Sequence, residues 1–135
     1  MEKIILFLFA CFAVIGTANA QTTAIYVCPK TGAWAYTFDD GKPPASTLQQ
    51  LKDAAYYECK NAGGTDCTYF YSADCRGCWL SFIMGIDGYN VNYLAVWSTS
   101  SQLETEQKVR DDYRKNGGVA YSSAKVTSWY VPYKQ

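Results

Sequence analysis

The chain has 135 residues, with 12 basic and 12 acidic side chains and therefore no net charge. A neutral chain is a poor partner for nucleic acid or for an anionic membrane surface. The sequence contains no histidine, which removes the commonest general base and the commonest metal ligand. We therefore predict no catalytic residue, no metal site and no cofactor.

The first 20 residues have the order of a secretory signal peptide. Lys3 is followed by an apolar run over residues 4–16 and then by Ala18-Asn19-Ala20. The run is shorter than the roughly 20 residues that span a bilayer, so no membrane span is predicted. Cleavage after Ala20 leaves one domain over residues 21–135 in a secreted or periplasmic protein. A lipid anchor on Cys11 is an alternative.

Two strands are predicted at residues 24–27 and 33–38, on either side of a turn that contains Pro29 and Gly32. In the second strand, aromatic residues occupy every second position, which places them on one face. We expect that face to meet a helix. Its residues are Trp34, Tyr36 and Phe38.

A helix is predicted over residues 46–61. Ser46 and Gln49 have the spacing of a capping box at its start, and Gly63-Gly64 suits its end. A strand follows at residues 67–71. The helical spacing predicts that Cys59 points at the sheet, so a disulfide to Cys67 is predicted across the turn. Its short loop would contribute about 2 to 3 kcal/mol.

The second part of the chain has the same succession of signals. Asp87-Gly88 predicts a hairpin between strands at residues 79–85 and 89–97. Ser101 and Glu104 form a second capping box, which opens a second helix. Gly117-Gly118 ends that helix, and a last strand is predicted over residues 119–131.

The segment over residues 46–71 recurs 54 positions later, where Gly63-Gly64 becomes Gly117-Gly118. Cys59 then corresponds to Tyr113 and Cys67 to Tyr121, so we expect these tyrosines to pack where the cysteines bond. Two half-repeats, about 24–72 and 78–131, each have the order β-β-α-β. We predict a disulfide-stabilised α+β fold, with an antiparallel sheet of about six strands and two helices on one face.

Several short motifs of this chain together resemble a bacterial family of secreted proteins, the domain of unknown function numbered 4189. They are Gly32-Ala33-Trp34-Ala35-Tyr36, a helix ending in Cys59, Gly63-Gly64, Cys67 before an aromatic strand, and Cys75 or Cys78 before another strand. The resemblance covers most of the mature chain and implies a small exported bacterial protein. It supplies no activity or catalytic residue. Family members generally keep a cysteine pair in both halves, whereas this chain has Tyr113 and Tyr121.

The mature chain contains five cysteines, an odd number, which predicts two disulfides and one free thiol. Besides the bond between Cys59 and Cys67, we expect Cys28 to bond with Cys75 or Cys78 and so to join the two halves. Cys75-Arg76-Gly77-Cys78 has the spacing of a redox pair, but it precedes a strand, whereas redox pairs lie at a helix N-terminus. A zinc site is less favoured because only one such pair is present.

A pair of carboxylates in a hydrolytic or calcium-binding site is a weaker alternative for the function of this chain. A small hydrolase needs two acids facing one groove, and Asp39 with Asp40 is the best candidate pair, with a bound calcium ion as a further alternative at the same place. Turns favour Asp for local reasons, however.

The chain has 12 Tyr and 4 Trp, more than a sheet with one buried face should hide, so some should form a binding surface. Our candidates are Tyr69, Tyr71, Tyr130 and Tyr133. The sequence therefore predicts an exported, non-enzymatic module that recognises or inhibits an extracytoplasmic protein. Binding of glycan or cell wall is the alternative, and a small hydrolase or thiol-redox enzyme is the third. An aromatic row along a shallow groove would favour glycan, and a flat aromatic patch with a charged rim would favour protein.

Overall fold

The computed structural model describes residues 21–135, so the predicted signal peptide, its cleavage site and Cys11 lie outside the described residues. Within this range the chain forms six antiparallel strands and two α-helices, which confirms the predicted α+β class. In chain order the elements are β1 (Thr23–Cys28), β2 (Ala33–Phe38), α1 (Leu48–Asn61), β3 (Thr68–Ala73), β4 (Cys78–Asp87), β5 (Asn90–Ser98), α2 (Gln102–Lys115) and β6 (Lys125–Val131).

The strands are divided between two three-stranded sheets instead of forming one continuous sheet. The first sheet has the order β2-β1-β3, and the second has the order β5-β4-β6. Each sheet thus takes its strands from one half of the chain. In both halves the first strand is central, the second lies on one edge and the third lies on the other.

The division follows from the side chains of the central strands, which are apolar on both faces. In β1, Ile25 and Val27 face the second sheet, while Cys28 faces α1. In β4, Phe82 faces the first sheet and Ile83 faces α2. A single sheet with helices on one face would leave half of these side chains in water. Stacking the two sheets between the two helices removes both apolar faces from water.

Aromatic rings from both halves fill the space between the sheets. Trp34 stacks on Phe82 with ring centroids 4.2 Å apart, and Tyr36 stacks on Trp129 at 3.8 Å. These pairs place β2 over β4 and β6. The indole N–H of Trp129 also donates a hydrogen bond to the Thr23 hydroxyl across the sheets, at 3.2 Å.

At the opposite edge of the sandwich, the first half contributes its third strand and the second half contributes its second strand. Phe70 of β3 meets Tyr93 of β5 edge to face, with centroids 4.8 Å apart. The third strand of each half therefore lies over the second strand of the other.

The expectation that the aromatic face of β2 meets a helix is wrong, because Trp34 and Tyr36 pack into the core between the sheets. The small residues of the strand face α1 instead. Ala33 packs with Cys59 of the helix, and the Thr37 hydroxyl donates to the Leu51 carbonyl at 2.7 Å. Small side chains let the helix approach the sheet closely, so the large ones are left for the other face.

Each helix begins at a capped residue. Ser101 caps α2 as predicted, with its side chain accepting from the Glu104 N–H. The cap of α1 is Thr47 with Gln50, not Ser46 with Gln49. Thr47 lies 54 positions before Ser101, so the repeat itself points to the observed cap.

The two helices also end in equivalent ways. The Gly64 N–H donates to the Cys59 carbonyl at 3.0 Å, and the Gly118 N–H donates to the Tyr113 carbonyl at 2.8 Å. A Cβ on Gly64 would lie 2.3 Å from the Cys67 Sγ, and one on Gly118 would lie 2.3 Å from the Tyr113 ring. Glycine at position 64 leaves room for the Cys67 thiol, and glycine at position 118 leaves room for the Tyr113 ring.

The predicted last strand is shorter than expected. A 3-10 turn at Tyr121–Ser123 precedes β6, and Ala120 before it has the left-handed φ of 51°. Tyr121 therefore lies in a turn, where it packs against the cluster between α2 and the second sheet that also contains Tyr113. No helix within residues 21–135 is long and apolar enough to cross a membrane.

Candidate functional site

The four tyrosines predicted to form a binding surface do not share one. Tyr71 is buried between the sheets, with 4% of its surface exposed. Tyr69, Tyr130 and Tyr133 are exposed, but they lie in different places. Sequence spacing could not show that Tyr69 and Tyr71 point to opposite faces, because a register irregularity between Ile25 and Tyr26 of β1 shifts the pairing with β3.

The contacts of the exposed tyrosines place them on different sides of the molecule. The Lys52 ammonium of α1 lies 4.5 Å from the Tyr69 ring centroid, on the outer side of the first sheet. The ring centroid of Tyr130 lies 5.3 Å from that of Trp79, on the outer side of the second sheet. Tyr133 lies beyond β6 against Gly77. One ligand could not contact all three without wrapping the molecule.

Part of the aromatic surplus is taken up between the sheets. Two sheets provide two inner faces, and these accommodate large rings that a single sheet would have left exposed. The rings in or against the core between the sheets are Trp34, Tyr36, Phe70, Tyr71, Phe82, Tyr93 and Trp129.

A row of aromatic rings does reach the surface along β2. It lies at the open edge of the sandwich, where β2 of the first sheet lies over β6 of the second. Trp34 and Tyr36 are half-buried there and Phe38 is exposed. We call this depression the platform groove, and its volume is about 620 Å³. Its lining residues are Trp34, Ala35, Tyr36, Thr37, Phe38, Glu58 and Thr127.

The three rings of the platform groove form an ordered row. The Trp34 and Tyr36 centroids are 6.0 Å apart with planes inclined by 24°, and those of Tyr36 and Phe38 are 6.4 Å apart with planes inclined by 16°. The period of two along a strand sets this spacing. Stacking of Tyr36 on Trp129 and of Trp34 on Phe82 holds the first two rings in place from below.

Polar groups line the rim of the platform groove. The Glu58 carboxylate is exposed at one side, and the Thr37 and Thr127 hydroxyls lie along the strands. A second depression of about 330 Å³ shares Trp34 and Thr127 and continues along the same edge to Ile86 and Lys125. The edge therefore offers an extended, shallow surface with apolar rings and scattered hydrogen-bonding groups.

The cysteines are paired differently from our prediction. Cys75 is bonded to Cys78, with an S–S distance of 1.97 Å, so neither can bond with Cys28. The side chain of Cys28 faces α1, away from the second half. A sequence cannot show which way a residue at a strand end will point when the register of the neighbouring strand is unknown.

The remaining cysteines lie together at one end of the first half. The Sγ atoms of Cys59 and Cys67 are 2.6 Å apart, and both residues belong to one cluster with Cys28 and Ala33. All three are thiols in the structure. The disulfide between Cys59 and Cys67 stays a prediction, and the geometry brings its partners within reach.

The environment of Cys28 favours its thiolate. Burial on its own raises the pKa of the Cys28 thiol, but hydrogen bonds outweigh burial and lower the pKa to about 6. They come from the side chain of Thr31 and from the backbone of Thr31, Thr65 and Asp66. Burial also raises the pKa of Cys59, and the hydrogen bond and charge of Cys67 and the charge of Cys28 raise it further.

Asp39 and Asp40 do not form a hydrolytic pair. The buried Asp39 carboxylate is bound to Arg76 at 3.2 Å and to two backbone N–H groups, whereas Asp40 is exposed and accepts from the Lys42 N–H at 2.9 Å. In the part of the chain that the structure describes, no group of three or more Cys, Asp or Glu side chains could hold a metal ion.

Comparison with family models, with curated proteins and with solved structures gave no match to this chain. The resemblance to the secreted family numbered 4189 stays a prediction.

Proposed function

We propose that this protein is a small exported binding module without enzymatic activity, and that it binds a saccharide chain in the platform groove. The observation that carries the proposal is the row formed by Trp34, Tyr36 and Phe38 along the open edge of β2. An aromatic row along a shallow groove is the arrangement that distinguishes glycan binding from a flat, charge-rimmed protein interface.

The chemistry of the groove suits a sugar chain. The face of an aromatic ring carries partial negative charge, and the C–H groups on one face of a pyranose ring carry partial positive charge. The Thr127 hydroxyl and the Glu58 carboxylate can hydrogen-bond with sugar hydroxyls, whereas the Thr37 hydroxyl already donates to the Leu51 carbonyl and can only accept. The groove is open along its length, which suits a chain lying across it more than a small enclosed molecule.

Two features support a non-enzymatic role. The chain has no histidine, and Asp39 is held by Arg76 and by backbone N–H groups. Among the described residues that line the platform groove, Glu58 alone carries a carboxylate, and hydrolysis of a glycosidic bond ordinarily uses two.

The first experiment is titration of the mature protein, residues 21–135, with soluble glycan strands from peptidoglycan and with chitin and cellulose oligosaccharides. We expect Phe38→Ala to weaken binding by about tenfold or more, because the ring of Phe38 is one third of the row. Tyr57→Ala is the matched control, since Tyr57 is exposed on α1 and does not line the groove. Equal affinities for the two variants, or no binding of any saccharide, would reject the proposal.

Recognition of an extracytoplasmic protein is the second candidate, and the edge position of β2 favours it. Among the strands of residues 21–135, β2 pairs with β1 alone, so an extended segment of another protein could add to its other side. A photoreactive residue at position 38, compared with one at position 57, tests this in intact cells. Support requires a protein captured at position 38 alone that also binds the mature protein in titration after purification.

A further inference from the structure

Three cysteines lie close together at one end of the first half of the chain. Cys28 is the last residue of β1, Cys59 lies in the final turn of α1, and Cys67 directly precedes β3. They pack in one cluster with Ala33, apart from the bonded Cys75 and Cys78. Cys28 and Cys59 have no exposed surface, whereas Cys67 is partly exposed.

The geometry brings the Cys59 and Cys67 sulfur atoms into reach of each other, and Cys28 packs in the same cluster. The 2.6 Å between the Sγ atoms of Cys59 and Cys67 is slightly more than the roughly 2.05 Å of a disulfide bond. The Cys28 Sγ lies 3.8 Å from the Thr65 hydroxyl, in the turn that joins the other two cysteines. Gly64 in the same turn leaves the space that the sulfurs occupy, since a Cβ there would lie 3.2 Å from the Cys59 Sγ.

We propose that Cys28, Cys59 and Cys67 form a thiol–disulfide exchange site in which Cys59 bonds with Cys67 in one state and with Cys28 in the other. The first bond closes when two thiols pass two electrons and two protons to a disulfide oxidant, which is reduced to two thiols. The Cys28 thiolate then attacks the Cys59 sulfur. The Cys28–Cys59 bond forms, the Cys59–Cys67 bond breaks, and Cys67 leaves as a thiolate that takes a proton from water.

The exchange would move a reactive thiol from the interior to the surface. Cys28 has the low pKa of an attacking group, about 6, but it is buried and cannot meet an external partner. Cys67 is partly exposed, so after exchange it can form a mixed disulfide with another thiol-bearing protein. This property does not depend on the platform groove, which lies along β2 and β6.

The decisive variant is Cys67→Ser in the mature protein, oxidised with glutathione disulfide and alkylated without reduction. Trypsin cleaves after Lys30, Lys60 and Arg76, which puts the three cysteines on separate peptides. We expect the peptides carrying Cys28 and Cys59 to be joined by a disulfide. If both thiols are alkylated when the oxidised variant is unfolded in denaturant, the proposed second state does not form and the proposal fails. Far-UV circular dichroism establishes that the variant is folded.

The wild-type protein supplies a test that no unfolded variant can obscure. Oxidised protein is incubated with iodoacetamide, which traps Cys67 whenever exchange releases it. We expect the Cys67 peptide to become alkylated over time, together with a growing Cys28–Cys59 cross-link. Cys28→Ser is the matched control and should keep Cys67 unlabelled. Labelling at the same rate in both proteins, or none in the wild type, would overturn the proposal.

Discussion

At the scale of single residues, Asp39 ties three segments of the chain together through one buried carboxylate. Its Oδ1 accepts from the Gly41 N–H at 2.8 Å, and its Oδ2 accepts from the Ser46 N–H and from the Arg76 guanidinium. Arg76 also donates to the Pro132 carbonyl at 3.3 Å. The pair therefore anchors the loop before α1 and the segment after β6.

We expect Asp39→Ala to lower the free energy of unfolding by about 3 kcal/mol, because it leaves the Arg76 charge and two N–H groups without their acceptor. Asp40→Ala is the neighbouring control. Asp40 is exposed, so its loss should cost about 0.5 kcal/mol. Urea denaturation measures both values, and similar costs for the two variants would contradict this role of Asp39.

The same carboxylate predicts a pH dependence. Burial alone would raise the pKa of Asp39, but the hydrogen bonds from Gly41, Ser46 and Arg76 and the charge of Arg76 hold it below its ordinary value. Its stabilising effect is therefore complete above the ordinary carboxyl pKa and is lost as the pH falls through the lowered value. The stability difference between wild type and Asp39→Asn should therefore stay level from about pH 7 down to about pH 4, the ordinary carboxyl pKa, and should shrink as the pH falls further. A constant difference would contradict this account.

At the scale of elements, Ser46 and Thr47 both suit a helix cap by sequence, but only Thr47 caps α1. The Thr47 hydroxyl accepts from the Gln50 N–H at 3.1 Å, and the Gln50 side chain accepts from the Thr47 N–H at 2.9 Å. Ser46 contributes its backbone N–H to Asp39 instead. An alanine at position 46 keeps that N–H, whereas an alanine at position 47 removes the cap.

We therefore expect Thr47→Ala to destabilise the protein by about 1 kcal/mol, while Ser46→Ala changes the stability by less than about 0.5 kcal/mol. Thermal unfolding of the two variants measures both changes in stability. If Ser46→Ala proved the more costly change, the helix would begin one residue earlier than the structure shows.

At the scale of the whole molecule, Trp129 connects the two halves. Its ring stacks on Tyr36 at 3.8 Å and lies 6.4 Å from Trp34, and its N–H donates to Thr23. All three partners belong to the first sheet, whereas Trp129 belongs to the second. The halves share this core, so we expect them to unfold together.

We expect Trp129→Ala to cost about 3 to 5 kcal/mol, because it opens a cavity in the shared core. Trp129→Phe should cost less, since it keeps a ring against Tyr36 and loses only the hydrogen bond and part of the volume. Urea unfolding followed by fluorescence and by circular dichroism should give coincident transitions in the wild type. Separate transitions would mean that the halves are independent.

The local elements of this protein could be predicted from its sequence, because local features determine them. The alternation in β2, the Asp87-Gly88 turn and the glycine pairs after each helix act within a few residues. The repeat at 54 positions also predicted that both halves would share one order of elements. Even the error at Ser46 lay within one residue of the cap.

The positions that depend on partners distant in the chain could not be predicted. Whether the strands join in one sheet or two depends on what covers the second apolar face of β1 and β4, and the covering residues come from the other half. The burial of Tyr71 and the direction of Cys28 follow from that choice. The platform groove likewise exists only because β2 lies over β6, which brings Thr127 beside Trp34. Sequence spacing specifies which side chains share a strand face, whereas only the packing of the two halves decides which faces are buried and which remain open to a ligand.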